Sequence, residues 1–335
     1  MAKRGRIYNK FFNSEDWEQV NLLNKEIMDD YKMELKQNQK SEGTIKQYFS
    51  DWKIIMLFIY RKLDNRYILE LTKKDFRKFS LWLSEDCNMS NARVNRILSS
   101  LRSLLTYCED DDELDYENNQ AKKVKGLPKK PVRDIIFLTD EQVIKLKNKL
   151  VEMKDYQKAT LLMLSYDSAA RKNELFQIKK ECFYDVNRRY TNKVVGKRGK
   201  IFPLVYFDET YKLAQLYLKQ RGEDDIPDMW ISGIENKKPV SHNTIYNWFV
   251  QMNDLLEGIE NTKIGFTVHS MRHTALENYE TGEHYMCKIL NKKDGFTLPE
   301  LQMLAHHSSS DTTSGYLKEK DNELIGQMFG IQIGV

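Results

Sequence analysis

The chain has 335 residues, of which 30% are charged and 41% are hydrophobic, and its formal net charge is +4. This length favours two domains, and the composition excludes an intrinsically disordered chain. The four cysteines form no C-x-x-C pair and no apolar window is long enough to span a bilayer, so we expect a cytoplasmic protein with neither a metal site nor a membrane partner.

The N-terminal part of the chain has helical periodicity. Residues 1–17 are short and basic and are predicted to be a separate N-terminal segment. Residues 18–118 are predicted to form a helical domain because apolar residues such as Tyr48, Trp52 and Ile55 recur at helical spacing. Helix starts are predicted where a side-chain oxygen can accept an orphan backbone N–H, at Ser41, Thr72 and Ser90.

The helix that begins at Ser90 carries basic residues among its apolar positions. Guanidinium groups at such positions can contact DNA phosphates, or they can form an ordinary solvated helix face. Both interpretations apply to Arg93, Arg96 and Arg102.

A reversal of charge marks the predicted domain boundary. Seven of the nine residues at 109–117 are acidic, whereas residues 121–133 contain six bases and no acid. Prolines and a glycine disfavour a regular helix there, so residues 119–135 are predicted to be an interdomain linker. Its lysines can neutralise DNA phosphates and release counterions, or they can belong to a merely solvated spacer. The lysines in question are Lys122, Lys123, Lys125, Lys129 and Lys130.

Residues 136–335 are predicted to form a second, mainly helical domain with one small antiparallel sheet. Thr139 and Gln142 have the spacing of a capping box at its first helix. Strand-type sequence at 182–205 surrounds a glycine-rich turn at 196–200, which predicts a β-hairpin. Helices are predicted to resume near residue 208, and again near residue 241, and to continue to about residue 328.

Three motifs in this second domain supply two arginines, several histidines and a tyrosine. They are A-A-R-K-N-E-L from Ala169, V-H-S-M-R-H-T from Val268, and the segment from Leu304 to Tyr316. Arginines offer planar donor forks to phosphate oxygens, histidines move protons near neutral pH, and a tyrosine can form a covalent phosphoester. This inventory suits attack of a phenol on a phosphodiester without a metal or another cofactor.

The motifs resemble those of the tyrosine recombinases, the lambda-integrase family, over roughly residues 40–320. That family has A-R-x-x-E-L, a lysine on a strand, H-x-x-R-H-T, and L-G-H-S with a tyrosine nine residues after the histidine. His307 and Tyr316 keep that spacing. The resemblance implies a mainly α fold, in which a SAM-like core-DNA-binding domain precedes a catalytic domain with a small antiparallel sheet.

The resemblance implies three ligands for the scissile phosphate, namely Arg171, Arg272 and His307. Glu174 would then be structural. Because Arg171 precedes Glu174 by three residues, the two are predicted to share one face of a helix, where an ordinary surface pair is the alternative interpretation.

The resemblance also implies how protons move. His269 would help to deprotonate the nucleophile Tyr316, and Lys197 would protonate the departing 5′ oxygen. Attack would leave a 3′-phosphotyrosyl link and a free 5′ hydroxyl. Lys197 is preferred for this role, whereas Lys200 or Arg198 could instead hold the backbone. A tyrosine at the end of a helix is more often a packing residue.

Three departures from the family pattern bear on function. Ala169 and His306 stand where the family has glycine, and residues 283–295 lengthen the segment before His307.

The main prediction is a site-specific recombinase of phage or mobile-element integrase type. It would bind double-stranded DNA as a homotetramer, with a directionality or host architectural factor as a further partner. The alternative is a DNA-binding transcriptional regulator that kept the fold and lost strand exchange. An apolar tail at 329–335 is predicted to dock on a neighbouring subunit, or to fold back on its own domain.

Overall fold

The computed structural model of the protein describes residues 11–128, 135–233 and 236–306. Contacts divide the chain into two units, with the boundary between residues 134 and 135. Within the described residues, no helix has both the length and the apolar character that a membrane span requires.

The described part of the N-terminal unit is helical, and the three helix starts that the sequence predicts are confirmed. The Ser41 hydroxyl accepts the backbone N–H of Thr44, and Thr72 forms a capping box with Asp75. The Ser90 hydroxyl caps the last long helix of the unit. The helices are α1 (Ser14–Gln19), α2 (Leu22–Gln37), α3 (Glu42–Lys62), α4 (Lys73–Leu81) and α5 (Asn91–Asp110).

Helix α3 lies at the centre of this unit because its run of apolar residues from Ile54 to Ile59 is entirely buried. Trp52 is fully buried, and its indole N–H donates to the backbone carbonyl of Ser100 in α5 at 3.1 Å. Tyr31 of α2 packs against the same indole, with 5.3 Å between the ring centroids. The three long helices therefore share one aromatic core.

The first half of the predicted linker packs against α5. Arg102 donates to the carbonyls of Ala121 and Val124 at 3.1 and 2.7 Å. Asn95 exchanges two hydrogen bonds with the backbone of Leu127. Residues 120–128 are therefore fixed to the N-terminal unit by arginine and asparagine side chains of α5. Residues 129–134 lie outside the described residues.

The C-terminal unit is built around α7, which is buried along nearly its whole length. Helices α6, α9 and α11 pack against it. The predicted capping box of Thr139 and Gln142 begins α6. The described helices are α6 (Asp140–Glu152), α7 (Tyr156–Ser168), α8 (Lys172–Phe176), α9 (Asp208–Arg221), α10 (His242–Glu260), α11 (Val268–Glu280), α12 (Tyr285–Ile289) and α13 (Leu298–Leu304).

The predicted hairpin is confirmed. Strands β1 (Tyr190–Val195) and β2 (Ile201–Val205) are antiparallel, and Val194 pairs with Phe202. A second antiparallel pair, β3 (Ile231–Ser232) and β4 (Lys238–Pro239), was not predicted, because two-residue strands are too short to show an alternating pattern.

The insertion at 283–295 packs into the C-terminal unit. His284 is fully buried and stacks on Tyr279 with 3.8 Å between the ring centroids. Tyr285 at the start of α12 donates its hydroxyl to the buried carboxylate of Asp167 at 2.7 Å. Burial raises the pKa of Asp167 to about 6, although several hydrogen bonds to its carboxylate oppose that shift. The insertion thus contacts the end of α7, two residues before Ala169.

Candidate active site

The spacing of Arg171 to Glu174 had suggested that Arg171 lies inside a helix. It lies instead just before α8. Its backbone is extended, and α8 begins at Lys172. The buried Glu174 carboxylate accepts the Arg171 backbone N–H at 2.7 Å and its Nη1 at 3.0 Å. The Arg171 side chain remains 22% exposed. One edge of the guanidinium is therefore fixed by protein, while the group stays accessible to a ligand.

Arg272 is held inside the protein by backbone carbonyls. It lies on α11 and is only 1% exposed. Its Nη1 donates to the carbonyl of Ala169, and its Nη2 donates to the carbonyl of Ala305 at 2.7 Å. Arg272 therefore connects the chain just before Arg171 to the chain just before His306.

The unusual alanine of the first motif has a left-handed backbone. Ala169 ends α7 with φ 49° and ψ 31°, a conformation that glycine adopts without strain and that costs other residues roughly 1–2 kcal/mol. Its carbonyl still reaches Arg272. Alanine at this position is therefore compatible with the left-handed turn and with the contact to Arg272.

His269 stands near three positive or titratable groups. Its ring lies 4.8 Å from the ring of His273, at an angle of 84°. Desolvation lowers the pKa of His269, and the nearby His273, Arg272 and Arg171 lower it further. A lowered pKa keeps the imidazole neutral near pH 7, the form that can accept a proton. His273 itself is buried and packs edge-on against Phe137.

The hairpin that carries Lys197 is attached beside α8. Lys197 opens a short 3₁₀ turn between β1 and β2, directly after Gly196. A Cβ on Gly196 would lie 2.6 Å from the Phe202 ring and 3.2 Å from the Glu174 carboxylate, so the glycine permits this close approach. Gln177 exchanges hydrogen bonds of 2.8 and 3.0 Å with the backbone of Val195.

His306 also has a left-handed backbone, with φ 52°. Its ring stacks on Phe202 of the hairpin, with 3.6 Å between the centroids. Burial lowers the pKa of His306, and Glu174 opposes the shift. The described residues thus bring together Arg171, His269, Arg272, the Lys197 hairpin and the residue before His307. His307 and Tyr316 lie outside the described residues.

The three arginines of α5 have different surroundings. Arg93 donates to the buried carboxylate of Asp51 at 2.6 Å, and Arg102 donates to backbone carbonyls. Burial raises the pKa of Asp51, and the charge of Arg93 counteracts that effect. Arg96 lies 3.6 Å from the same carboxylate, and its side chain is 48% exposed. Of the three, Arg96 is the one with a largely accessible guanidinium.

A basic surface that the sequence analysis missed lies between α2 and α3. It is a groove of about 680 Å³, and Phe49 lies within it with the ammonium of Lys53 5.2 Å from its ring centroid. Burial lowers the pKa of Lys53. The signal was the spacing of four residues between Lys32 and Lys36, which places both on one face of α2. This lysine groove is lined by Lys32, Lys36, Lys40, Lys46 and Lys53.

The linker lysines have mixed surroundings. Lys122 pairs with Glu109, and Lys123 donates to the side chain of Gln120 at 3.1 Å. Lys125 is exposed, and Lys129 and Lys130 lie outside the described residues. Within the residues that the structure describes, no group of three or more histidine, cysteine or acidic side chains could hold a metal ion.

Residues 136–323 match the sequence profile described as the phage integrase family. A tyrosine recombinase of Thermosipho africanus is 26% identical over 304 residues, which cover 89% of this chain and 95% of the relative. The tyrosine recombinase XerA of Pyrococcus horikoshii is 24% identical and covers 90% of this chain and 92% of its own.

Solved structures have the same fold. A lambda integrase tetramer bound to a Holliday junction superposes with a TM-score of 0.64 at 17% identity, covering 88% of this chain and 77% of that one. The Tn1549 transposon integrase in complex with a circular intermediate DNA superposes with a TM-score of 0.63 at 16% identity, covering 91% and 98%. The mainly helical architecture with a small antiparallel sheet is therefore confirmed.

Proposed function

This chain belongs to the phage integrase family of tyrosine recombinases, and we propose that it is a site-specific DNA recombinase that acts through a 3′-phosphotyrosine intermediate. The observation that carries the proposal is the arrangement of Arg171, His269 and Arg272 beside the hairpin of Lys197. The Arg171 guanidinium remains accessible. The lowered pKa of His269 leaves a neutral imidazole near Arg171, and this imidazole can accept a proton.

In the proposed cleavage step, the hydroxyl oxygen of Tyr316 forms a bond to phosphorus. Its proton passes to His269, and the bond from phosphorus to the 5′ oxygen breaks. Lys197 gives a proton to that oxygen, which leaves as a 5′ hydroxyl. The phosphotyrosyl ester conserves the phosphodiester bond energy, so rejoining needs only the reverse attack by a 5′ hydroxyl.

The arginines and His307 would stabilise the charge that develops on the phosphate oxygens. One pre-organised donor aimed at developing charge is worth roughly 2.7–4 kcal/mol of barrier. Arg171 can supply such a donor because Glu174 fixes its position before DNA arrives. Arg272 is oriented by two carbonyls, which fixes its guanidinium plane in the same way.

Binding of double-stranded DNA would use the lysine groove, the exposed Arg96 and the linker lysines. Their charges can neutralise phosphates without reading sequence. We expect a homotetramer on paired sites in the cytoplasm, with a directionality or host architectural factor as a further partner. The relatives fit this expectation, since the lambda integrase structure is a tetramer on a Holliday junction.

The alternative function, a transcriptional regulator that has lost strand exchange, was based on Ala169, His306 and the insertion at 283–295. Ala169 keeps its turn and its contact with Arg272, and His306 makes a new contact with the hairpin. The insertion packs against the end of α7, where Tyr285 donates to Asp167. These contacts give no reason to prefer a protein that has lost strand-exchange activity.

The test is covalent capture on DNA. A random duplex pool is selected for binding, and the recovered sequence is built into a duplex with a nick near the cleaved position, so that the short product strand diffuses away. Denaturing electrophoresis should then show a protein–DNA adduct. Tight binding to the selected site without any adduct would favour the regulator.

A further inference from the structure

His306 makes a contact that glycine could not make. Its ring stacks on the phenyl ring of Phe202 with 3.6 Å between centroids and 18° between planes. Its backbone is left-handed, a conformation that favours glycine. The histidine therefore stands at a position where the backbone alone would favour glycine, and its ring adds a packing contact there.

Phe202 connects this stack to the hairpin turn. It lies in β2, pairs with Val194 across the hairpin, and is only 8% exposed. Its ring fills the space that a Cβ on Gly196 would occupy. Because Gly196 directly precedes Lys197, Phe202 contacts both the backbone leading into Lys197 and the ring of His306.

Two further contacts join the same segment to its surroundings. Lys200, in the hairpin, donates to the backbone carbonyl of His306 at 3.5 Å. Arg272 donates to the neighbouring carbonyl of Ala305 at 2.7 Å. Residues 305 and 306 are thus tied to an arginine of the site on one side and to the lysine hairpin on the other.

We propose that His306 is a positioning residue whose ring, stacked on Phe202, holds the hairpin so that Lys197 reaches the departing 5′ oxygen. The inference rests on the proposed function, in which Lys197 donates a proton as the bond from phosphorus to that oxygen breaks. Loss of the stack loosens the hairpin but leaves the contacts of Arg171 and Arg272 intact. Displacing a catalytic group in this way slows a reaction by up to roughly a hundredfold.

The test compares two substrates that differ in their leaving atom. One is the selected DNA site with an ordinary scissile phosphodiester, and the other carries sulfur in place of the bridging 5′ oxygen. The sulfur leaves as a thiolate that needs no proton, so its departure does not depend on Lys197. His306→Gly should cleave the ordinary site roughly ten- to a hundredfold more slowly, yet cleave the sulfur site at the wild-type rate. His306→Phe keeps an aromatic face and should restore the ordinary reaction.

Three further variants make the comparison decisive. Lys197→Ala gives the largest expected selective defect, that is, slower cleavage of the ordinary site with no loss of rate on the sulfur site. His242→Ala is the matched control, because His242 also packs on a phenylalanine, Phe176, at 4.6 Å, but outside the hairpin. It should leave the ratio of the two rates unchanged. Phe202→Leu keeps apolar volume in β2 without the stacking ring, and it should reproduce the selective defect if His306→Gly does not fold.

Two results would overturn the inference: an equal loss on both substrates, or a wild-type rate for His306→Gly on the ordinary site. A failure of the proposed function would look different. In that case the wild-type protein would form no adduct on either substrate, or sulfur would not rescue Lys197→Ala.

Discussion

Replacing the buried His284 should change how stability depends on pH. Burial lowers the pKa of His284 to about 3, from an ordinary value of 6.5. Its Nδ1 accepts the backbone N–H of Met286 at 3.2 Å, so His284→Asn keeps an acceptor for that N–H and removes the titrating ring. In the unfolded chain the histidine binds a proton as the pH falls below 6.5, whereas in the folded chain it stays neutral.

The direction and the size of the change in the free energy of unfolding with pH follow from this difference in proton binding. The contribution of His284 to the free energy of unfolding is fully present above pH 6.5 and is lost as the pH falls towards its folded pKa. The loss is about 1.4 kcal/mol per pH unit, or about 2 kcal/mol between pH 7 and pH 5. Asp167 acts in the opposite direction, because its pKa is raised to about 6 and its folded form gains a proton in the same window. The other titrating groups are common to both proteins, so His284→Asn should lose about 2 kcal/mol less stability than the wild-type protein between pH 7 and pH 5.

Urea unfolding at pH values between about 5 and 7, read by pulsed hydrogen exchange in peptides from residues 268–289, measures this difference in the C-terminal unit. His242→Asn is the control, because its ring is partly exposed. The reasoning is refuted if wild type and His284→Asn show the same pH dependence, or if His242→Asn gives an equal change.

Arg171→Ala and Arg272→Ala should each lower the cleavage rate by roughly a hundredfold or more while weakening DNA binding less, since their donors face charge that grows in the transition state; equal losses of rate and affinity would contradict this. Neutralising Lys36, Lys40 and Lys46 of the lysine groove to glutamine should flatten the slope of log affinity against log salt by up to roughly 0.9 for each DNA phosphate that is no longer neutralised, and an unchanged slope would remove the groove from DNA binding. Deleting residues 329–335, which lie outside the described residues, should preserve binding to a single half-site and abolish cooperative binding to a full site; equal cooperativity in gel-shift assays would show that the tail has no docking role.

Local signals in the sequence were sufficient for much of the fold. Ser41, Thr72 and Thr139 cap helices because a capping residue needs only the backbone of the next few residues. The β1–β2 hairpin followed from strand-type residues around a glycine turn. The motif arginines were found by their residue types and spacing.

The features that could not be predicted depend on contacts between distant residues or on backbone angles. Spacing alone does not separate a residue inside a helix from the one that caps it, so Arg171 was placed on a helix face that it does not occupy. An alanine favours a helix, yet Ala169 has a left-handed backbone, and its carbonyl accepts a hydrogen bond from the distant Arg272. Two further contacts join segments that are far apart in the chain. The ring of His306 stacks on Phe202, and Arg93 donates a hydrogen bond to Asp51.

The most direct test of the central claim is identification of the covalently attached residue. The adduct formed on the selected site is digested with protease and nuclease, and the modified peptide is sequenced by mass spectrometry. We expect a nucleotide 3′-phosphate on Tyr316, and we expect Tyr316→Phe to bind the same DNA without forming an adduct. A nucleotide attached to another residue, or an adduct that persists in Tyr316→Phe, would contradict the account.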